Sequence, residues 1–211
     1  LSGATLCARA ATLDLAFTAS AGPDPVAFDE LTVAVSAAQT VSVTRLDFLL
    51  SDVALRRTGG EWIGAQDWQR YVSLREGPDH VRLDSLPPGA FDRIRFSIGL
   101  PEDLNLADPD RFPPGHALNP NVNGLHWSWL GGYIFLALEG RWRNAAGEGG
   151  YSYHIATAPL RTTVEVPAAL DLSTDLTQEL RLDVVRLLDG LVIAPDTSST
   201  HSRADDPVAA R

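Results

Sequence analysis

The chain has 211 residues, which suits one large domain or two small ones, and its 45% hydrophobic content is ordinary for a chain that buries a continuous core. Its formal net charge is −10, with 27 acidic side chains against 17 basic ones. That balance argues against a nucleic-acid partner, because phosphate binding requires a basic surface. No apolar run approaches the roughly 18–20 residues of a membrane helix, so we expect no transmembrane segment.

The first residue is Leu1, and no charged-then-apolar leader is present. An exported protein looks like this after removal of its signal peptide, and so does a trimmed chain. The single cysteine, Cys7, cannot form an internal disulfide, and the chain has no Met. A blue-copper centre and a thioether Cu(I) carrier are therefore both excluded. Any metal site must use imidazole, carboxylate or a less usual ligand.

Short segments in which apolar and polar side chains alternate recur along the chain, and this period of two predicts β-strands. In chain order they are residues 13–17, 41–50, 94–100, 134–138, 151–155, 164–166 and 180–184. Clusters of Gly, Pro and Asn separate them and are typical of turns. We therefore predict an all-β fold, an antiparallel β-sandwich or barrel-like Greek key with long loops.

This fold is expected to be a single monomeric domain over residues 1–211, with residues 1–10 and 195–211 as loosely ordered ends. Residues 180–191 also fit a helical stripe, and the sequence leaves that choice open. A long Pro- and Asn-rich segment, residues 101–124, has no periodicity, and loops of that length are usually functional or disordered.

An acidic run within this loop, Asp103 to Asp110, offers oxygen ligands of the kind that calcium prefers. It lacks the regular alternation, the glycine and the distal glutamate of the usual calcium loop. A solvated acidic loop is the preferred interpretation, and calcium is kept as a weaker candidate cofactor.

The stretch after the loop is the most aromatic part of the chain. In an extended strand, Trp127 and Trp129 project to one face, and His126 and Ser128 to the other. The glycine pair at 131–132 predicts a bulge or a close backbone approach. Two tryptophans on one face of a strand are more often core packing than a functional site. The glycine pair and the nearby histidines shift that balance towards function.

Several short motifs occur here in a fixed order. The central pattern is Leu118-Asn119-Pro120, Asn123-Gly124, Trp127-x-Trp129-x-x-Gly132-Tyr133 and Glu139-Gly140. Flanking it are Ser51-Asp52-Val53, the strand from Phe91 to Gly99, Tyr153-His154 and Ser199-Thr-His201. Together these motifs resemble the MbnP-like family of periplasmic copper-binding proteins over most of the chain from Leu46 onwards. One departure is Leu125, where the family pattern has Met after Asn-Gly.

The resemblance implies a copper site in which histidines act together with kynurenine, an oxidation product of tryptophan. Trp127 and Trp129 are the candidates for this modification. A di-haem cytochrome c peroxidase-like partner (MbnH-like) is implied as the oxidant, with a periplasmic or secreted location. The chemistry is compatible, because an indole N–H only donates whereas an aromatic amine offers a lone pair.

Four histidines are candidate metal ligands. His154 ranks first because it matches the family's aromatic-His strand, and His116 in the long loop ranks second. His126 is weaker because strand alternation points it away from the tryptophans. His201 lies in a polar tail and reaches a site only if that tail folds back. His80 follows a Gly-Pro-Asp sequence and is interpreted as a turn residue.

Hydrolase and nucleotide motifs are missing from the sequence, which has no Gly-x-Ser-x-Gly, His-Glu-x-x-His or phosphate-binding glycine loop. We therefore expect a binding protein and not an enzyme. The main alternative is a carbohydrate- or peptide-binding module that uses Trp127, Trp129 and Trp142 as a stacking platform. A third interpretation is a structural sandwich that docks an envelope partner through its acidic surface.

Overall fold

The computed structural model describes residues 9–65, 67–127, 131–200 and 202. Within these ranges the strands are β1 Ala11–Ala21, β2 Asp24–Pro25, β3 Val33–Ser36, β4 Gln39–Val41, β5 Arg45–Arg57, β6 Trp62–Gly64, β7 Gln69–Ser73, β8 Asp79–Leu86, β9 Ala90–Ile98, β10 Ile134–Asn144, β11 Gly147–Ala156, β12 Thr162–Asp171, β13 Leu176–Asp183 and β14 Ser199–Thr200. The helices are single turns, α1 Glu102–Asn105, α2 Pro120–Asn123 and α3 Val184–Leu187, with 3₁₀ turns at Pro109–Arg111 and Ala158–Leu160.

None of the helices in the described ranges is long and apolar enough to cross a membrane.

The strands form two sheets. The smaller sheet has the order β13-β1-β2, with β8 also paired to β1, and the larger has the order β12-β9-β5-β10-β11-β14, with β3, β4, β6 and β7 attached. Most pairs are antiparallel, although β1–β13 and β11–β14 are parallel. The predicted all-β, sandwich-like fold is confirmed.

The main core lies between the two sheets. Leu13, Leu15 and Phe17 of β1 are completely buried, as their alternation predicts. Phe17 meets Phe48 of β5 and Phe96 of β9 edge to face, with ring centroids 5.6 and 5.7 Å apart. Edge-to-face pairs of this kind contribute about 0.5–1.5 kcal/mol beyond the burial of their area, so these rings help to fix the sheets against each other.

One edge of β5 is shared by two strands. Its first part, Arg45 to Phe48, pairs with β10, and the part from Leu50 onwards pairs with β9. The opposite edge carries β7 and β6, because Phe48 and Leu50 also pair with Val72 and Arg70 of β7. The chain therefore leaves the sheet where β9 ends and must return to the same edge where β10 begins.

Residues 100–127, which we call the cap, belong to this excursion and pack on the outer face of the larger sheet. The excursion begins at Gly99, whose N–H donates to the Leu49 carbonyl at 2.8 Å. A second apolar cluster forms under the cap, separate from the main core. Its buried members are Leu49, Leu100, Phe112, Leu118, Leu125, Tyr133, Ile134, Phe135 and Ala137.

Buried asparagines hold the cap together. Asn105, Asn119 and Asn123 are each at most 9% exposed, and each side chain bonds to backbone groups. Asn123 donates to the Ala117 carbonyl and accepts from the Leu125 N–H, both at 2.7 Å. A buried backbone group without a partner is costly, so these amides allow an irregular segment to be buried. The predicted long loop is therefore a folded cap with short helical turns.

The structure shows the secondary structure of two segments near the end of the chain. The segment left open at 180–191 is strand β13 followed by the single turn α3, which Asp183 caps by accepting the Val185 N–H at 3.0 Å. Within the expected loose end, β14 pairs in parallel with β11.

A substitution at Gly140 of β10 would test how closely the larger sheet is packed. A Cβ at this position would lie 1.9 Å from the Ser42 carbonyl oxygen, a backbone atom that has no rotamer to move. We expect Gly140→Ala to lower the free energy of unfolding by about 1–3 kcal/mol in urea denaturation, as overpacking does. The control is Gly150→Ala on the next strand, where the nearest atom is 3.8 Å away. Equal losses in the two variants would contradict this packing.

Candidate metal centre

A histidine and a glutamate face each other on the outer face of the larger sheet. The β10–β11 ladder pairs Glu139 with Ser152 and Ala137 with His154, so these side chains share one face. His154 Nε2 lies 2.8 Å from Glu139 Oε1 and 3.1 Å from Ser152 Oγ. The two side chains are 22% and 30% exposed, which leaves the pair accessible from solvent.

The pair continues as a row of polar side chains that runs across the neighbouring strands. Arg45 of β5 places Nη1 3.4 Å from Glu139 Oε1, and its Nε lies 2.6 Å from Asp47 Oδ2. Tyr71 of β7 donates its hydroxyl to the same Asp47 oxygen at 3.1 Å. Burial, together with the Asp47 charge, raises the pKa of Tyr71. The row therefore links His154 to a buried carboxylate two strands away.

Trp127 at the end of the cap lies against this histidine. The indole and imidazole centroids are 6.2 Å apart, with the ring planes tilted by 50°. Trp127 also packs against the apolar cluster under the cap. The structure therefore brings together the two sequence candidates His154 and Trp127.

The glycine pair makes a close backbone approach, as predicted. The Trp127 N–H donates to the Gly132 carbonyl at 3.0 Å, and the Gly131 N–H donates to the Trp127 carbonyl at 2.9 Å. Gly132 has φ +95° and sits against the Asn105 side chain, 3.1 Å from where its Cβ would be. The prediction that Trp127 and Trp129 share one strand face also concerns Trp129, which lies outside the described residues.

His126 has different neighbours. It forms an isolated bridge with Tyr133, and the two rings meet edge to face at 4.8 Å. Burial lowers the pKa of His126 and raises that of Tyr133 to about 12. The Tyr133 hydroxyl donates to the Leu118 carbonyl at 2.6 Å, so both rings belong to the support of the cap.

His116 is built into the cap itself. Its ring stacks on Phe112 with centroids 4.7 Å apart, and its Nδ1 accepts the Leu118 N–H at 3.0 Å. Burial lowers the pKa of His116, and the charges of Arg70 and Arg111 act in the same direction. Only Nε2 of this histidine is left for another partner.

The remaining histidines are placed as follows. His201 lies outside the described residues, but its neighbours do not: Thr200 pairs with Tyr153, and the Ser202 hydroxyl donates to the His154 carbonyl. Interpreting His80 as a turn residue is wrong, because it lies in β8, with Nδ1 2.7 Å from Asp14 on the smaller sheet. Among the described residues, no group of three or more His, Cys, Asp or Glu side chains is close enough together to hold a metal ion.

Two other sequence candidates serve the fold. Trp142 is 2% exposed and lies against Gly149, so it cannot belong to a stacking platform. In the acidic run, Asp108 caps the 3₁₀ turn by accepting the Asp110 N–H at 3.0 Å.

Sequence reasoning missed Glu139, Ser152 and the Arg45–Asp47 pair as parts of the site. Glu139 was noticed only within the Glu139-Gly140 motif. Only the register of the β10–β11 hairpin shows that the Glu139 and His154 side chains point to the same face of the sheet.

The fold and the site together define a β-sandwich-like protein with an imidazole, a carboxylate and an indole at the edge of a cap. The MbnP family model matches residues 10–202, and the chain belongs to the MbnP family. The solved structure of MbnP from Methylosinus trichosporium matches with a TM-score of 0.65 at 17% identity, covering 94% of this chain and 86% of that chain. At this identity the likeness concerns the fold. A comparison with curated proteins gives no match.

The partial burial of His116 predicts a pH effect on stability. Because its pKa is lowered in the folded state, the unfolded chain binds the proton more readily, and stability is lost as the pH falls below the ordinary value of about 6.5. We expect His116→Asn, whose amide oxygen can still accept the Leu118 N–H, to lose less stability than the parent between pH 7 and 5. The measurement is urea denaturation, with the His116 pKa read by NMR. A His116 pKa at or above 6.5 would contradict this effect of partial burial.

Proposed function

We propose that this protein binds copper in the cell envelope, at a site formed by His154, a kynurenine derived from Trp127 and one further histidine. One observation carries the proposal: the Trp127 indole lies against the His154 imidazole, 6.2 Å between centroids. Membership of the MbnP family supports copper as the metal.

The donor groups fit copper. Imidazole suits this metal, and copper stands at the top of the Irving–Williams order for divalent ions. A single imidazole makes a poor site, and an indole N–H adds no lone pair. Conversion of Trp127 to kynurenine would place an aromatic amine and a ketone beside His154 without moving the backbone.

The further histidine is best supplied by His201, because its chain neighbours Thr200 and Ser202 are held beside Tyr153 and His154. His126, next to Trp127 in the chain, is the second choice. His116 is supported least, since its Nδ1 is bonded within the cap.

The modification requires an oxidant from outside the chain, and a di-haem peroxidase-like partner is proposed to provide it. Cleavage of the indole C2–C3 bond inserts two oxygen atoms, taken from peroxide, which is reduced to water. Hydrolysis then releases the formyl group as formate and leaves the aromatic amine. Trp127 is only partly buried, so a partner protein can reach it. A periplasmic or secreted location would bring the two proteins together.

The competing platform function loses support in this structure. It required exposed tryptophans, and Trp142 is in the core while Trp127 packs against the cap cluster.

The proposal predicts that copper binding depends on both His154 and residue 127. Protein produced together with the di-haem partner should carry a kynurenine at position 127 in peptide mass mapping and bind one copper tightly. Protein produced without it should bind copper weakly, because the amine ligand is missing. His154→Ala and Trp127→Phe should each remove tight binding, measured by competition with a chelator of known affinity.

The matched control is His80→Ala, which removes an exposed histidine from the other sheet and should leave copper affinity unchanged. Trp129→Phe separates the two candidate tryptophans. Tight binding by the unmodified protein and by Trp127→Phe would make Trp127 a packing residue and leave a site of histidines alone.

A further inference from the structure

The contact between Glu139 and His154 determines which imidazole nitrogen is free. A neutral histidine carries its hydrogen on one ring nitrogen, and the hydrogen bonds around the ring decide which one. Glu139 Oε1 lies 2.8 Å from Nε2. An ionised carboxylate accepts hydrogen bonds and donates none, so this contact requires the hydrogen to be on Nε2.

The other nitrogen of this ring is left with its lone pair. Ser152 Oγ also lies beside Nε2, at 3.1 Å, and both polar neighbours of the imidazole are therefore on the same side. Within the described ranges, His154 Nδ1 has no hydrogen-bond partner. The hydrogen bonds around the ring therefore make Nε2 the donor nitrogen and leave Nδ1 as the acceptor nitrogen.

Glu139 is itself held by Arg45, and Arg45 is fixed by two further contacts. Its strand partner on β5 is Arg45, whose Nη1 reaches Oε1 at 3.4 Å. Arg45 is fixed in turn by Asp47 at 2.6 Å and by the Asn123 carbonyl of the cap at 3.3 Å. The carboxylate that orients His154 is therefore tied both to the sheet and to the cap.

We propose that Glu139 is a positioning residue that holds His154 with the hydrogen on Nε2, so that Nδ1 is the atom that binds copper. The inference rests on the proposed function for the identity of the metal. A carboxylate that accepts from the second nitrogen of a ligating histidine fixes the ring and makes it a better donor. The rival arrangement makes Glu139 and Nε2 direct ligands, with the ring hydrogen moved from Nε2 to Nδ1 on binding.

The test reads the tautomer of His154 directly, in metal-free protein labelled with ¹⁵N at histidine, by long-range proton–nitrogen NMR correlations. We expect hydrogen on Nε2 in the parent and in Glu139→Gln, whose amide oxygen still accepts. In Glu139→Ala we expect a mixture of tautomers. Copper affinity of the kynurenine-containing protein should fall about 10–100-fold in Glu139→Ala and recover largely in Glu139→Gln.

The matched control is Glu148→Ala, which removes another carboxylate of the same hairpin, one that pairs with Arg141 and Arg143. It should leave both the tautomer and the affinity as in the parent. Hydrogen on Nδ1 in the parent, or an unchanged tautomer in Glu139→Ala, overturns the inference whether or not copper binds. Movement of the ring hydrogen from Nε2 to Nδ1 on adding Cu(I) also overturns it, in favour of direct ligation. If the tautomers are as expected but the protein does not bind copper, the proposed function is refuted and the positioning role of Glu139 is not.

Discussion

The candidate metal centre depends on a single constraint, the sharing of one edge of β5 by two strands. A strand edge accepts only one neighbour at each position, so β10 pairs with the first part of β5 and β9 with the rest. The chain between them has to leave the sheet at Gly99 and come back at Ile134. It covers apolar side chains on the outer face, and the end of the cap places Trp127 beside His154.

The family motifs serve two different physical purposes on this frame. Asn119 and Asn123 satisfy buried backbone groups of the cap, and Gly132 allows the close approach of Asn105. These residues would be required in any protein with this cap, whatever it binds. The Glu139 side chain satisfies no backbone group of the cap, and its hydrogen bond is to the imidazole of His154. Matching the motifs therefore identifies the scaffold more directly than the site.

Much of the fold was predictable because strand alternation is local. The runs around Phe17 and Phe96 show which side chains face the core, and Trp142 obeys the same rule. The site was less predictable because Glu139 and His154 meet only through the register of a hairpin, which shifts at a bulge near its start. His80 was misassigned since a Gly-Pro sequence signals a turn but does not give the residue at which the next strand begins.

The proposed function places copper where the cap meets the outer face of the larger sheet. Anomalous diffraction at the copper edge, on crystals of protein produced with the di-haem partner and loaded with copper, tests this position most directly. We expect one strong peak within bonding distance of His154 Nδ1 and of the modified side chain at position 127. A copper peak at His116 or His80, with none at His154, would contradict it.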